Sequence, residues 1–282
     1  MIIWLSSYPK SGNTWLRSLI ANYFFSEDSK FNFKLLNQID SFPSPRFFRG
    51  YEDKFEKPED TSRYWITEQE KINSSNKVFF FKTHNALCKI NGNRFTNEKN
   101  TLGAIYIMRD PRNVVSSISN HYQITTEEAF SFMKDKQKGI VEIENKRFVG
   151  FQPLLSWDLH IKSWTENILY PTLIIKYEDL VIDTNNTFLK ILKFIKKLTK
   201  SKNEIDYKKL GKVIENCRFD NLKKMENEEG FAEAIVNKKT GKKINFFNLG
   251  IKNNYKNLLD NNLKNRINND FGYYLKKYKY IN

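Results

Sequence analysis

The residues best placed to do chemistry form one run, Ser7-Tyr8-Pro9-Lys10-Ser11-Gly12-Asn13-Thr14-Trp15. It follows the short apolar segment Ile2–Ser6 and opens a helical pattern in which Trp15, Leu16, Leu19, Ile20, Tyr23 and Phe24 recur at three- and four-residue spacing. A loop between a strand and a helix turns backbone N–H groups and the positive end of the helix dipole toward an anion. Lys10 adds a cation, Ser11 and Thr14 add hydroxyl donors, and Gly12 lets the backbone come close to a phosphate. A Walker A loop reads G-x-x-x-x-G-K-[ST]; here Ser6 or Ser7 stands where the first glycine belongs, and Lys10 precedes Gly12. The loop is of the phosphate-binding kind without being that of a nucleoside triphosphatase.

Two more clusters add to it. Arg109, at the end of an apolar run in Ile105-Tyr106-Ile107-Met108-Arg109-Asp110-Pro111, offers a fork of donors that suits a dianionic phosphate, and Ser117 on the next helix offers a hydroxyl. Alone, Arg109-Asp110 reads as a surface ion pair; its place two strands after the first loop makes it a ligand candidate. Phe80-Phe81-Lys82-Thr83-His84 closes another run. Of three histidines in the chain, only His84 falls at the C-terminal end of an expected parallel strand, where ligands bind in open α/β sheets. His121 and His160 read as structural. Cys88 and Cys217 read as small, partly buried thiols without a disulfide. No His/Cys/Asp cluster has ligand spacing, so no metal is expected.

The elements that position these residues are legible in outline. Ile2–Ser6, Val78–Phe81, Leu102–Met108 and Leu173–Tyr177 are nearly continuous in apolar residues, as strands covered on both faces should be. Helical stripes follow the first run, the third (Val114, Val115, Ile118) and the fourth (Leu189, Ile191, Leu192, Ile195, with Asp183 or Asn185 as cap). Strand, loop and helix in alternation predict an α/β fold of the P-loop nucleotide-binding kind, one domain over residues 1–282 with a central parallel sheet flanked by helices. The segment 42–63 is expected to be irregular, 125–148 a helical lid, and 196–203 a solvated loop. With 282 residues, 40% hydrophobic and 28% charged, the composition excludes a largely disordered chain. No apolar run is long enough to span a membrane. The amino terminus reads as a strand and not a signal peptide, which with two cysteines favours the cytoplasm. The formal charge of +15 calls for anionic partners, but the lysines are dispersed, and no nucleic acid is expected.

With those residues in view, Tyr8–Trp15 closely resembles the YPKSGTTW loop of sulfotransferases that use 3′-phosphoadenosine 5′-phosphosulfate (PAPS), with Asn13 in place of a threonine. The resemblance extends to the Lys82-Thr83-His84 context, to Arg109 and Ser117, to Tyr177-Glu178-Asp179-Leu180, and to Phe219 in Asn216-Cys217-Arg218-Phe219, where Cys217-Arg218 replaces the usual Thr-Ser. It implies that Ser7, Lys10, Ser11, Gly12, Asn13 and Thr14 cradle the 5′-phosphate and that Trp15, Tyr177 and Phe219 lie against the adenine. It assigns the 3′-phosphate to Arg109 and Ser117. It further implies His84 as general base, Lys10 on the leaving phosphate and Lys82 on the sulfuryl oxygens. A C-terminal cofactor loop is expected at about 238–257, where the family's RKGxxGxxK is matched by Asn248–Lys256. Gly250 and Lys256 agree; Asn248-Leu249 replaces Arg-Lys, leaving Lys252, or Lys242 and Lys243, as candidates to compensate. The dimerisation signature KxxxTVxxxE is absent after Lys256, which leaves the oligomeric state open.

The expected activity is sulfuryl transfer to a hydroxyl or amine of a small-molecule, lipid or glycan acceptor. Phe47, Phe48, Tyr51, Phe130, Phe132 and Phe151 either line an acceptor cavity or belong to the core. A P-loop small-molecule kinase is the alternative; it would need Mg²⁺ and a strand-end Asp, where this chain carries Lys82 and Arg109. A sulfotransferase fold without activity is the other.

Overall fold

Ile2–Ser6 forms the central strand, β1, and every residue of it is buried, in a computed structural model that describes residues 1–237, 240–241 and 243–282. Such a strand needs partners on both edges and cover on both faces. β2 (Asp40–Ser41), β3 (Phe79–Thr83), β4 (Thr101–Met108) and, farther along, β7 (Thr172–Lys176) complete a five-stranded sheet in the order β2-β3-β1-β4-β7, with every pairing parallel. Alternate residues feed two cores. Ile3, Leu5, Phe80, Ile105 and Ile107 pack on one face with helix α1 (Asn13–Phe25) and helix α5 (Thr184–Thr199). Ile2, Trp4, Phe81, Tyr106 and Met108 pack on the other with helix α2 (Pro111–Tyr122) and helix α4 (Trp157–Thr165). Each fully buried Ile or Leu contributes about 1.5–3 kcal/mol, so this two-sided burial fixes the platform beneath the site.

Strand bounds differ from expectation by a residue or two. β3 runs on to Thr83 because Lys82 and Thr83 pair with Leu5 and Ser6 although both are polar. β7 stops at Lys176 because Tyr177 begins the short helix Tyr177–Ile182. The segment 125–148 is only partly helical. Helix α3 (Thr126–Lys134) starts on a Thr125/Glu128 capping box, and the rest builds a hairpin of β5 (Gly139–Glu144) and β6 (Arg147–Pro153). Asn145 and Lys146 both take positive φ at its tip, as a tight hairpin turn requires. The expected loop at 196–203 begins later, since α5 continues through Thr199 and ends on a left-handed Lys200. Asp183 caps that helix, accepting from the Asn186 N–H at 3.0 Å. Short 3₁₀ turns at Pro45–Phe47 and Pro58–Tyr64 break up segment 42–63 as expected. Among the described residues, no helix is long and apolar enough to cross a membrane, and Cys88 and Cys217 are both free thiols.

Candidate active site

Because β3, β1 and β4 are neighbours, their C-terminal ends bring Lys82–His84, the Ser7–Gly12 loop and Arg109 to one edge of the sheet. They meet at a cleft of about 260 Å³. The loop makes its turn with Lys10 at φ 65° and Gly12 at φ 99°. A Cβ on Gly12 would lie 2.5 Å from Tyr177 Cδ2, so both the backbone conformation and the space require glycine. The Gly12 carbonyl accepts from the Leu16 N–H at 3.1 Å and starts α1. Asn13 is buried, and its amide donates to the Leu5 carbonyl at 2.9 Å and to Ser7 Oγ at 3.2 Å. Its side chain therefore ties the loop to β1.

His84 follows β3 directly. Its Nδ1 lies 2.8 Å from the Ser7 carbonyl, which can only accept, so Nδ1 carries the proton and Nε2 keeps its lone pair. Ser7 Oγ is 3.2 Å from the same Nδ1. The backbone of His84 is held as firmly: its N–H donates to Gln152 Oε1 at 3.0 Å, and its carbonyl accepts from His160 Nε2 at 3.1 Å. His160 in turn lies 2.8 Å from the Tyr106 hydroxyl through Nδ1. A chain of bonds thus runs from β4 through a buried histidine to the backbone of His84. Burial, reinforced by the nearby Lys82 charge, pushes His84 down to about 3, so the ring is neutral at physiological pH.

The cations of the site are desolvated. Burial pulls Lys10 down to about 7, opposed by Glu233 and abetted by Lys82 and Arg109. Burial lowers Lys82 as well, against the pull of Glu233. The Lys10 ammonium lies 3.8 Å from the centroid of the Phe246 ring. Glu233 enters the cleft from the segment after helix α6 (Phe219–Glu229) and accepts from Arg17 Nη1 at 2.5 Å and Thr14 Oγ1 at 3.1 Å, with Lys82 Nζ at 3.4 Å. Burial alone would raise this carboxyl; Lys82 and Arg17 outweigh it and hold it well below the usual range.

At the other end of the cleft, Trp15, Tyr177, Phe219, Leu249 and Gly250 form an aromatic slot. The Trp15 indole N–H donates to the Cys217 carbonyl at 2.8 Å, and the ring meets Tyr177 edge-on at 5.8 Å. The Arg109 guanidinium stacks 4.2 Å above Tyr177 and donates to the Lys10 carbonyl at 3.2 Å. A Cβ on Gly250 would lie 2.5 Å from the Phe219 ring. Ser116, Ser117 and Asn120 continue the wall along α2.

Of the residues expected from sequence, Lys10, Gly12, Asn13, Thr14, Trp15, Lys82, His84, Arg109, Ser117, Tyr177, Phe219 and Gly250 line this one cleft. Ser7 and Ser11 are buried beneath it. Lys252 is exposed and does not line it, and Lys242 lies outside the described residues. Phe48 and Phe130 are fully buried core, and none of the six aromatics considered for an acceptor cavity lines the cleft. Its wall on that side is His121, Tyr122 and Ile140. Neither His121 nor His160, both expected to be structural, is remote from the site. His121 stands in the cleft wall, pushed down to about 4 by burial and then by Lys10, while His160 braces His84 from behind. Arg17 and Glu233 were missed. The available signal for Arg17 was its spacing of three from Thr14, which puts a charged residue on the loop-facing side of an otherwise apolar helix; Glu233 had none.

A phosphate-type loop, a neutral histidine beside buried lysines, and an aromatic slot next to an arginine make a site suited to an anionic nucleotide. The chain belongs to the sulfotransferase domain family, whose model matches residues 2–279. In fold it is similar to retinol dehydratase crystallised with androsterone and the inactive cofactor PAP (TM-score 0.59, 16% identity, 98% of this chain and 80% of that one). A second structure of retinol dehydratase, with retinol and PAP, gives TM-score 0.59 and 17% identity over 98% and 81% of the two chains. Mouse sulfotransferase SULT7A1 with PAP gives TM-score 0.56 and 18% identity over 96% and 82%.

Proposed function

We propose that this chain transfers the sulfuryl group of PAPS to a hydroxyl or amine of a small-molecule acceptor, with His84 as general base. The observation that carries the reading is the fixed tautomer of His84. Its proton is committed to the Ser7 carbonyl at 2.8 Å, and Nε2 makes no hydrogen bond among the described residues. A neutral imidazole so held takes the acceptor's proton as the new bond to sulfur forms, an effect worth about 10²–10⁴-fold. Lys10 neutralises charge that grows on the departing 5′-phosphate, and Lys82 pairs with the sulfuryl oxygens. Because both are desolvated, their charge acts strongly.

The residues present fit the donor. Gly12 and Gly250 leave no room for side chains beside the loop and the slot. Arg109 Nε and Ser116 Oγ are buried without a partner among the described residues, next to Ser117. Arg109 and Ser117 are assigned to the 3′-phosphate, and Trp15, Tyr177 and Phe219 to the adenine. The family, and the PAP present in the similar structures, support this donor. Androsterone and retinol in two of them support an acceptor of small-molecule size.

The test is a thermal-shift comparison of PAP with ADP and Mg²⁺. A ligand at about a hundred times its dissociation constant stabilises the fold by about 2.7 kcal/mol, a rise of roughly 5–10 °C. A rise with PAP alone supports the reading; a rise with ADP–Mg²⁺ alone overturns it in favour of a kinase.

A further inference from the structure

Three donors converge on the Glu233 carboxylate: Arg17 Nη1 at 2.5 Å, Thr14 Oγ1 at 3.1 Å and Lys82 Nζ at 3.4 Å. Thr14 belongs to the loop assigned to the 5′-phosphate, and Lys82 is the lysine assigned to the sulfuryl group. Phe246 lies over the Lys10 ammonium. Glu233 and Phe246 together therefore engage both lysines on which sulfuryl transfer would depend. We propose that Glu233 is a built-in competitor of the sulfuryl donor, its carboxylate and the donor's phosphosulfate contending for the same donors of Thr14 and Lys82. This rests on the assignment of PAPS as donor.

The surroundings of Glu233 suit such a role. They are fixed without it: buried Glu226 on α6 accepts from the Phe246 N–H at 2.6 Å and the Phe247 N–H at 2.8 Å, and Phe231 packs against Phe33, Phe246 and Phe247. Glu233 itself sits in the turn after Phe231, closed by the Ala234 N–H on the Phe231 carbonyl at 3.1 Å, and the short ribbon of Ile235–Val236 with Lys243–Ile244 follows among the described residues. Withdrawal of the carboxylate would break its three side-chain contacts and leave the Glu226 and Phe231 contacts in place. Arg17 would keep a partner set of its own, since Nη2 donates to the Ile39 carbonyl at 3.1 Å and to the Leu36 carbonyl at 3.3 Å. Two anions on the same donors repel. If the donor binds only when the carboxylate is out, its apparent dissociation constant is the intrinsic one divided by the fraction of protein in that state. Glu233 thereby sets the affinity for the donor without touching the nucleoside.

The experiment is isothermal titration of PAPS's product, PAP, and of inorganic pyrophosphate into wild type and Glu233→Gln, with a crystal structure of the wild-type PAP complex. The neutral amide is expected to tighten binding of both ligands by roughly tenfold, the effect of no longer displacing one hydrogen-bonded charge. In the wild-type complex, Glu233 is expected beyond hydrogen-bond reach of Thr14 and Lys82. Equal or weaker binding by a folded Glu233→Gln overturns the proposal. So does a PAP complex with the carboxylate still on Thr14 and Lys82, a result that does not depend on how the variant folds. Absence of PAP binding in both proteins would overturn the donor assignment itself, and the competitor role with it.

Discussion

Replacing His84 by alanine separates chemistry from binding. The ring contributes one strong contact to the loop, the 2.8 Å bond from Nδ1 to the Ser7 carbonyl. The backbone bonds to Gln152 and His160 survive the substitution, as do the Asn13 bonds that tie the loop to β1. Loss of one such bond costs about 1 kcal/mol, which for a chain of this size lowers Tm by roughly 2–4 °C. The cradle therefore stays formed, and the PAP dissociation constant should change by less than about threefold, well under the 1.4 kcal/mol of a tenfold effect. Catalysis should fall by about 10²–10⁴-fold, equivalent to about 3–5 kcal/mol in the barrier. The assay is conversion of PAPS to PAP, resolved by anion-exchange chromatography, over a panel of phenols, alcohols and amines, alongside PAP titration calorimetry. If turnover stays within tenfold of wild type, or if PAP binding is lost together with it, the assignment of His84 as base is wrong.

Gly12→Ala should weaken PAP binding at least tenfold and cost about 1–2 kcal/mol of stability, because φ is +99° and the new methyl meets the Tyr177 ring at 2.5 Å; titration and chemical denaturation would reveal it, and unchanged affinity would refute the close-packed cradle. Lys10, pushed down to about 7 in the folded protein, should make PAP binding weaken as pH rises from 7 to 9, since binding of an anion must then restore its proton; Lys10→Met should flatten the dependence, and a flat wild-type profile would contradict it. For the fold itself the sign at Lys10 is opposite: the unfolded lysine holds its proton up to about 10.5 and the folded one does not, so this group adds stability as pH climbs above 7. His84 and His160, pushed down by burial to about 3, and His121, to about 4, bind protons more weakly folded than unfolded between pH 6.5 and 4. Stability should fall through that window as pH drops, with uptake of about two to three protons on unfolding, measurable as the pH slope of denaturation midpoints; a slope near zero would refute their burial as neutral rings.

What the sequence made legible is what backbone physics dictates locally. β1, β3 and β4 announce themselves because strands covered on both faces have almost no polar residues, and the loop after β1 because strand, Lys-Ser-Gly and helix stripe coincide. Arg109 and His84 were findable since a parallel sheet exposes its strand ends together. The hairpin of β5 and β6 escaped because Glu142, Glu144, Lys146 and Arg147 dilute its two-residue alternation into what looks like a charged helix. The wall of His121, Tyr122 and Ile140 was only half legible: Ile140 falls in the segment 125–148 expected to be a lid, but a hairpin and not a helix delivers it, and no local pattern links it to Tyr122. Glu233, more than two hundred residues from Thr14 and Arg17, is a purely tertiary fact.

The position of β1 carries a cost during synthesis. β1 leaves the ribosome well before its partners, Phe79–Thr83 on one edge and Thr101–Met108 on the other, although it is the innermost strand of the sheet. At about 5–20 residues per second, Ile2–Ser6 waits roughly 5–20 s for its second neighbour, with a tryptophan and three large aliphatic side chains uncovered. Pairings this distant also slow the search in refolding, because loop closure precedes any gain from contact. The strand that gives the finished cleft its floor is thus the one left longest without the neighbours it needs.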